Sequence, residues 1–194
     1  MTTESVTHLC RHCSLCCNGI LFSRVRILPA ETKRVASKGM AFYTNSNGDH
    51  YFDQPCPSLR FGVCQIYESQ PNTCRTYQCR LVKHVIDSAL TLPEALTIVD
   101  QAIDLAGAVS KHLDKLFAPD WNRTYLKRLI RRALDTEKPD PQFLRDARKL
   151  VEHLDRYFDA QALLKTIPPP PKKVVHFKMA VGSSKTKHKD RTQR

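Results

Sequence analysis

Hydrophobic residues recur at intervals of three and four along the chain beyond position 80. This spacing is typical of amphipathic helices, which bury one face and expose the other. It predicts four such helices, over residues 81–90, 93–113, 121–133 and 143–158. Helices of this kind can pack on one another and cover the preceding part of the chain.

The first 80 residues show shorter patterns. Residues 20–28 are apolar with a partial period of two, which predicts a strand, and Asn18-Gly19 supplies the turn into it. Residues 29–39 begin with a proline and end with a glycine, which predicts a short helix.

A hairpin is predicted next. Residues 41–44 and 50–53 flank the segment 45–49, which contains the pair Asn-Gly and therefore favours a tight turn with positive φ. Because two strands alone are only marginally stable in water, we expect the cysteine-rich segments to hold this hairpin in place. The sequence of residues 54–80 predicts turns and one short helix.

These patterns predict an α+β fold, in which a small cysteine-rich half with short strands packs on a mainly helical half. We predict a metal-binding cysteine region over residues 1–80 and a helical region over residues 81–167. A proline-rich spacer and a disordered basic tail follow over residues 168–194, since four consecutive prolines favour a stiff extended chain.

The charge of the chain is concentrated at its end. Of the net charge of +12, residues 172–194 carry +7, from eight Lys or Arg and one Asp. Such a tail can hold polyanions, including nucleic acid, through phosphate contacts that weaken with salt. The third predicted helix also carries a basic face, which is either solvated or a site for an anionic partner. Its cations are Arg123, Lys127, Arg128, Arg131 and Arg132.

Candidate chemistry lies in the cysteines, all of which precede position 80. They are Cys10, Cys13, Cys16, Cys17, Cys56, Cys64, Cys74 and Cys79. The first four form two overlapping C-x-x-C turns, a spacing that suits either an iron–sulfur centre or a zinc site completed by a second cysteine pair. Neighbouring side chains usually point apart, so we expect Cys16 and Cys17 to serve different partners.

Thiolates held close together need positive charge nearby. A metal ion supplies most of it and keeps the thiols deprotonated. Arg11, Arg60, Arg75 and Arg80 lie beside cysteines in the sequence and either offset the remainder or face solvent. His12 stands between two candidate ligands, but we expect it to point away from them.

The alternative use of these cysteines is a disulfide framework. Between Cys10 and Cys79 they make up 8 of 70 residues, a density that reaches that of small secreted disulfide scaffolds. Residues 1–10 show neither the basic nor the apolar region of a signal peptide, and no apolar run approaches the roughly 18 residues of a membrane span. We therefore expect a reducing, cytoplasmic location and metal ligation.

Four separated motifs together resemble the zinc- or iron-chelating CxxCxxCC domain family, whose members are mostly bacterial. The motifs are Cys10-x-x-Cys13-x-x-Cys16-Cys17, Cys56-Pro57-x-Leu59, Cys64-x-Ile66-Tyr67-Glu68 and Pro71-x-x-Cys74-Arg75. The resemblance covers about residues 8–80, and it departs from the family pattern at Gln70, where arginine is usual. It implies metal binding through cysteines. A related cysteine cluster in flagellin lysine methylases suggests an enzymatic use, although this chain looks too short for that whole activity.

We therefore predict a metal-binding protein that holds zinc or iron, including an iron–sulfur centre, through all eight cysteines. One alternative is a metal-dependent or iron–sulfur enzyme of group transfer, for which the sequence shows no cofactor loop or nucleophile motif. The other is a nucleic-acid-binding zinc module that uses the basic tail. The sequence leaves open whether there is one centre or two.

Overall fold

The computed structural model describes residues 3–117, 126–134 and 140–158, and the fold is a mixture of helices and small sheets. Its helices are α1 (Thr3–Cys13), α2 (Thr32–Ser37), α3 (Asn72–Thr76), α4 (Arg80–Ile86), α5 (Leu92–Leu116), α6 (Leu126–Leu134) and α7 (Pro141–Tyr157). Its strands are β1 (Arg24–Ile27), β2 (Tyr43–Thr44), β3 (His50–Asp53), β4 (Leu59–Arg60) and β5 (Val63–Cys64). Two 3₁₀ turns, Pro29–Glu31 and Tyr67–Ser69, precede α2 and α3.

The predicted hairpin is confirmed, and it gains a third strand. β2 and β3 pair antiparallel around a turn in which Gly48 has φ +83°, and β1 pairs antiparallel with the other edge of β3. The sheet order is therefore β1-β3-β2. The strand predicted over residues 20–28 is confirmed only at 24–27, and its pairing gives the hairpin the support that two strands lack alone.

The short helix predicted over residues 29–39 is confirmed as a 3₁₀ turn that continues into α2. Gly39 adopts φ +72° after the helix, a conformation that glycine reaches without steric cost. The N–H groups of Gly39 and Met40 donate to the carbonyls of Ala36 and Val35. Val35 and Met40 are both buried, so this end of the helix is packed under the sheet residues.

Two elements of the cysteine-rich half differ from the prediction. Cys10 and Cys13 do not lie on a turn but in the last helical turn of α1, whose residue Leu9 is fully buried. Burial of this apolar face against the helical half stabilises a helix that its polar sequence alone does not predict. Residues 59–64, predicted as a turn, form the small β4–β5 hairpin, and the predicted short helix is α3.

The helical half follows the predicted periodicity, although α4 is shorter than predicted and α5 extends beyond its predicted end, to Leu116. α4 ends at Ile86, because Ser88 adopts φ +59°, and α5 begins after Thr91. Thr91 and Glu94 form a capping box, in which the Thr91 N–H donates to Glu94 Oε2 at 2.7 Å. α6 and α7 correspond to the third and fourth predicted helices, while residues 121–125 of the third lie outside the described residues.

One large apolar core joins both halves. It contains Leu9, Leu15 and Leu21 from the cysteine-rich half together with apolar residues of α4, α5, α6 and α7. We call it the helical core. A smaller sheet core contains Val25, Ile27, Val35, Met40, Phe42 and Phe52. Because α1 packs on both α4 and α5, the first cysteine motif lies directly against the helices.

The division into regions 1–80, 81–167 and 168–194 stays a prediction, and the tail lies outside the described residues. Within the described residues, none of the helices combines the length and apolar character needed to cross a membrane.

Candidate metal centre

The first cysteine motif folds as the end of a helix followed by tight turns. Cys10 and Cys13 are three residues apart on α1 and so share one face of it. Ser14 then adopts φ +47° and ends the helix, and its carbonyl accepts the N–H groups of Cys17 and Asn18 at 2.8 and 3.0 Å. These turns place Cys16 against the helical core and Cys17 against the sheet core.

The strands and α3 position three of the downstream cysteines near Cys17. The Cys56 N–H donates to the Cys17 carbonyl at 2.7 Å, which ties the two backbones together. Cys64 lies in β5 opposite Leu59, a residue packed on the sheet core. Cys74 lies in α3, which contacts β1.

Cys79, in contrast, lies on the side of the helical core. It immediately precedes α4, and its carbonyl accepts the Lys83 N–H at 3.1 Å. α4 packs against α1, so Cys79 is buried in the helical core beside Cys13. The structure thus brings together Cys10, Cys13, Cys16 and Cys79, which we call group A. It separately brings together Cys17, Cys56, Cys64 and Cys74, which we call group B.

Burial governs the ionisation of the group A thiols. It raises the pKa of Cys10 to about 11 and that of Cys13 to about 12, with further contributions from the neighbouring Cys79. It also raises the pKa of Cys16 well above its ordinary value, and Cys13 and Cys79 add to that shift. At neutral pH these thiols are protonated unless a cation stabilises their thiolates.

Three thiols of group B, those of Cys17, Cys56 and Cys74, show the same behaviour. Burial raises the pKa of Cys74 to about 12, with contributions from Cys56 and Cys64. Burial also raises the pKa of Cys17, where Cys56 contributes most among the other cysteines and Cys13, from group A, contributes least. Each group therefore combines fully buried and partly buried thiols.

A cavity of about 810 Å³ connects the two groups. Seven of the cysteines line it, namely Cys10, Cys13, Cys16, Cys17, Cys64, Cys74 and Cys79. Gln54 also lines it, and its buried Oε1 accepts no hydrogen bond from the described residues. An occupant that carries a donor, such as an ordered water, would satisfy this oxygen.

The donor set fits a thiophilic metal. All eight cysteines are free, and thiolates are ligands that zinc and iron–sulfur centres use. Within residues 3–117, 126–134 and 140–158, no three or more Cys, His, Asp or Glu side chains already stand in an arrangement that could hold a metal ion. The thiols of each group would therefore have to turn inward around a metal as it binds.

The residues expected beside the thiols have divergent roles. His12 points away from the cysteines, as predicted, and its Nε2 lies 2.7 Å from Asp100 Oδ1. Arg11 and Arg75 line the cavity. Arg80 instead donates to the carbonyls of Asp155 and Arg156 at 3.0 Å, so it satisfies the end of α7.

Two residues near the cysteines, Glu31 and Arg24, were missed by the sequence analysis, and the contact that a third, Gln70, makes with a thiol was not predicted. Glu31 is buried and pairs with Arg34. It also accepts a hydrogen bond from the Asn72 N–H at 2.8 Å, and this bond anchors the start of α3. The Gln70 amide lies 3.8 Å from Cys64 Sγ, as a donor. Arg24 lines the cavity and stacks on Tyr51. The sequence marked only Gln70, as the position where the family pattern has arginine.

One of three comparisons with known proteins matches the segment that contains the cysteines. A family model described as "CxxCxxCC: Putative zinc- or iron-chelating domain" matches residues 9–94, a span that includes all eight cysteines. Searches of the curated proteins and of the solved structures found no match. The matched segment begins in α1 and ends in the first turn of α5, so it contains both thiol groups. The predicted resemblance to the CxxCxxCC family is therefore confirmed over residues 9–94 of this chain.

Proposed function

We propose that the protein binds zinc or iron, including iron as an iron–sulfur centre, through all eight of its cysteines. The observation that carries this proposal is the grouping of eight free cysteines, from two separate parts of the sequence, into two partly or fully buried sets of four. Core packing alone gives no reason to collect thiols in this way, since each cysteine packs as a small independent hydrophobe.

The burial of the thiols supports the same function. A thiol with a raised pKa keeps its proton at neutral pH, and the fold around both groups offers little water to stabilise a thiolate. A bound metal would supply the compensating positive charge and displace the protons. Metal binding is therefore coupled to proton release and to closure of the thiols around the metal.

A metal held in this way would also stabilise the cysteine-rich half. This half has only the small sheet core of its own, and its longest strands have four residues. Sites with four thiolates contribute folding free energy in small domains that lack a sufficient core. The group-transfer and nucleic-acid alternatives remain predictions, because none of the described contacts favours either.

The test is the metal and acid-labile sulfide content of the full chain purified without oxygen, with its absorption spectrum. We expect either zinc in a colourless protein or iron with matching sulfide in a brown one. Cys13→Ser should lower the amount of bound metal. His12→Gln is the control, because His12 lies between two candidate ligands in the sequence but its side chain contacts Asp100, and this variant should bind as much metal as wild type. Wild-type protein without metal would refute the proposal.

A further inference from the structure

We propose that the eight cysteines form two separate four-thiolate centres, with the boundary between the adjacent residues Cys16 and Cys17. Centre A consists of Cys10, Cys13, Cys16 and Cys79, and centre B consists of Cys17, Cys56, Cys64 and Cys74. This inference rests on the proposed function and specifies which ligands share a metal.

The first argument is the packing of the thiols. Cys13 and Cys79 are buried members of the helical core, and Cys10 and Cys16 pack against it. Cys56 is a buried member of the sheet core, and Cys17 and Cys74 pack against that core. None of these seven thiols belongs to both cores, while Cys64 joins the second set through β5, where it pairs with Leu59.

The second argument is the course of the backbone. Cys10 and Cys13 lie in α1, and α4, which packs on α1, begins immediately after Cys79. In the second set, a hydrogen bond from the Cys56 N–H to the Cys17 carbonyl holds the first two cysteines together. The β4–β5 register and α3, which Glu31 anchors, complete it with Cys64 and Cys74.

The third argument concerns the adjacent pair. Cys16 interacts electrostatically most strongly with Cys13 and Cys79, then with its neighbour Cys17, and least with Cys10. Cys17 interacts with Cys56, Cys74 and Cys64 more strongly than with Cys13. Cys16 and Cys17 are therefore neighbours in the sequence but members of different sets. Because the two sets are joined by this one peptide bond, cysteines of both sets line the same cavity.

The test uses Cd²⁺ as a probe, added to the reduced, metal-free full chain and followed by the sulfur-to-cadmium absorption. We expect saturation at two ions for wild type and at one ion for either Cys13→Ser or Cys74→Ser. The decisive comparison is between double variants. Cys13→Ser/Cys79→Ser, within one set, should still bind one ion, whereas Cys13→Ser/Cys74→Ser, across the sets, should bind none.

A measurement on wild type alone covers the case in which the variants fail to fold. Cadmium-113 NMR of the saturated protein should give two resonances, both typical of four sulfur ligands. One resonance, more than two, or equal losses in the two double variants would overturn the division into two centres while leaving metal binding intact. Failure of wild type to bind any Cd²⁺ would instead refute metal binding and the division with it.

Discussion

Gln70 shows how a single side chain can tune a candidate ligand. Its amide nitrogen lies 3.8 Å from Cys64 Sγ, a distance at which an N–H can donate to sulfur. A donor at this position stabilises the thiolate more than the thiol, because the extra electron density on sulfur strengthens the hydrogen bond. Such contacts around a ligand orient it and hold the metal more firmly.

We predict that Gln70→Leu, which removes the donor at similar size, speeds metal release about tenfold. Transfer of the bound metal to a coloured chelator measures that rate. The matched control is Gln65→Leu, since the exposed Gln65 amide donates to the Val63 carbonyl rather than to a thiol. Equal release rates in both variants would show that the amide has no effect on the metal.

At this scale the sequence was most informative about the cysteines and least about the residues that hold them. All eight were predicted as ligands because their spacing is unusual for core residues, and that ligand set stays a prediction. Glu31 was missed because its partners, Arg34 and the Asn72 N–H, are joined only by the fold. Arg80 was expected either to offset the thiolates or to face solvent, and its contact with α7 was missed because its partner is 75 residues away in the sequence.

The β4–β5 hairpin is the element with the clearest local conflict between sequence and conformation. Phe61 has φ +50° and Gly62 has φ +74°, which places both central residues of the turn in the left-handed region. Glycine reaches that region freely, whereas a bulky side chain does so at a cost. The Phe61 side chain is also fully exposed, with a relative accessibility of 102%, so burial does not offset the cost.

We predict that Phe61→Asn stabilises the protein by about 1 kcal/mol, because asparagine tolerates the left-handed conformation. Thermal unfolding of the metal-loaded protein measures the effect as a higher Tm. Leu28→Asn is the control, since Leu28 is also an exposed large hydrophobic residue but has φ −70°. A lower Tm for Phe61→Asn would mean that the phenylalanine makes a stabilising contact after all.

Element by element, the long helices were predictable and the short elements were not. α5 and α7 repeat their apolar residues over several turns and carry capping residues, so periodicity alone identifies them. α1 was missed because its last residues read as metal-binding turns, while its burial depends on α5. β4 and β5 have two residues each, which is too short for any alternation to show.

The whole molecule is held together by the helical core, which the cysteine-rich half shares through α1 and Leu15. The helices of the other half pack mainly on one another, with α5 at the centre. The two halves therefore depend on metal to different degrees. Loss of metal would remove the cross-links among the thiols but would leave the contacts of α5 with α7.

We predict that removal of the metal by a chelator loosens residues 14–79 while α5 and α7 keep most of their structure. Hydrogen exchange followed by mass spectrometry should show faster exchange in β4, β5 and α3 and unchanged protection in the middle of α5. The loaded protein under the same conditions is the reference. A uniform loss of protection across both halves would contradict this difference.

Counting the ligands of the bound metal is the most direct test of cysteine-only ligation. X-ray absorption at the metal edge of the saturated full chain reports the number and type of the coordinating atoms. We predict four sulfur ligands per metal ion, at about 2.3 Å if the metal is zinc, and no nitrogen or oxygen ligand. Fewer than four sulfur atoms, or a nitrogen or oxygen ligand in their place, would contradict the assignment of all eight cysteines.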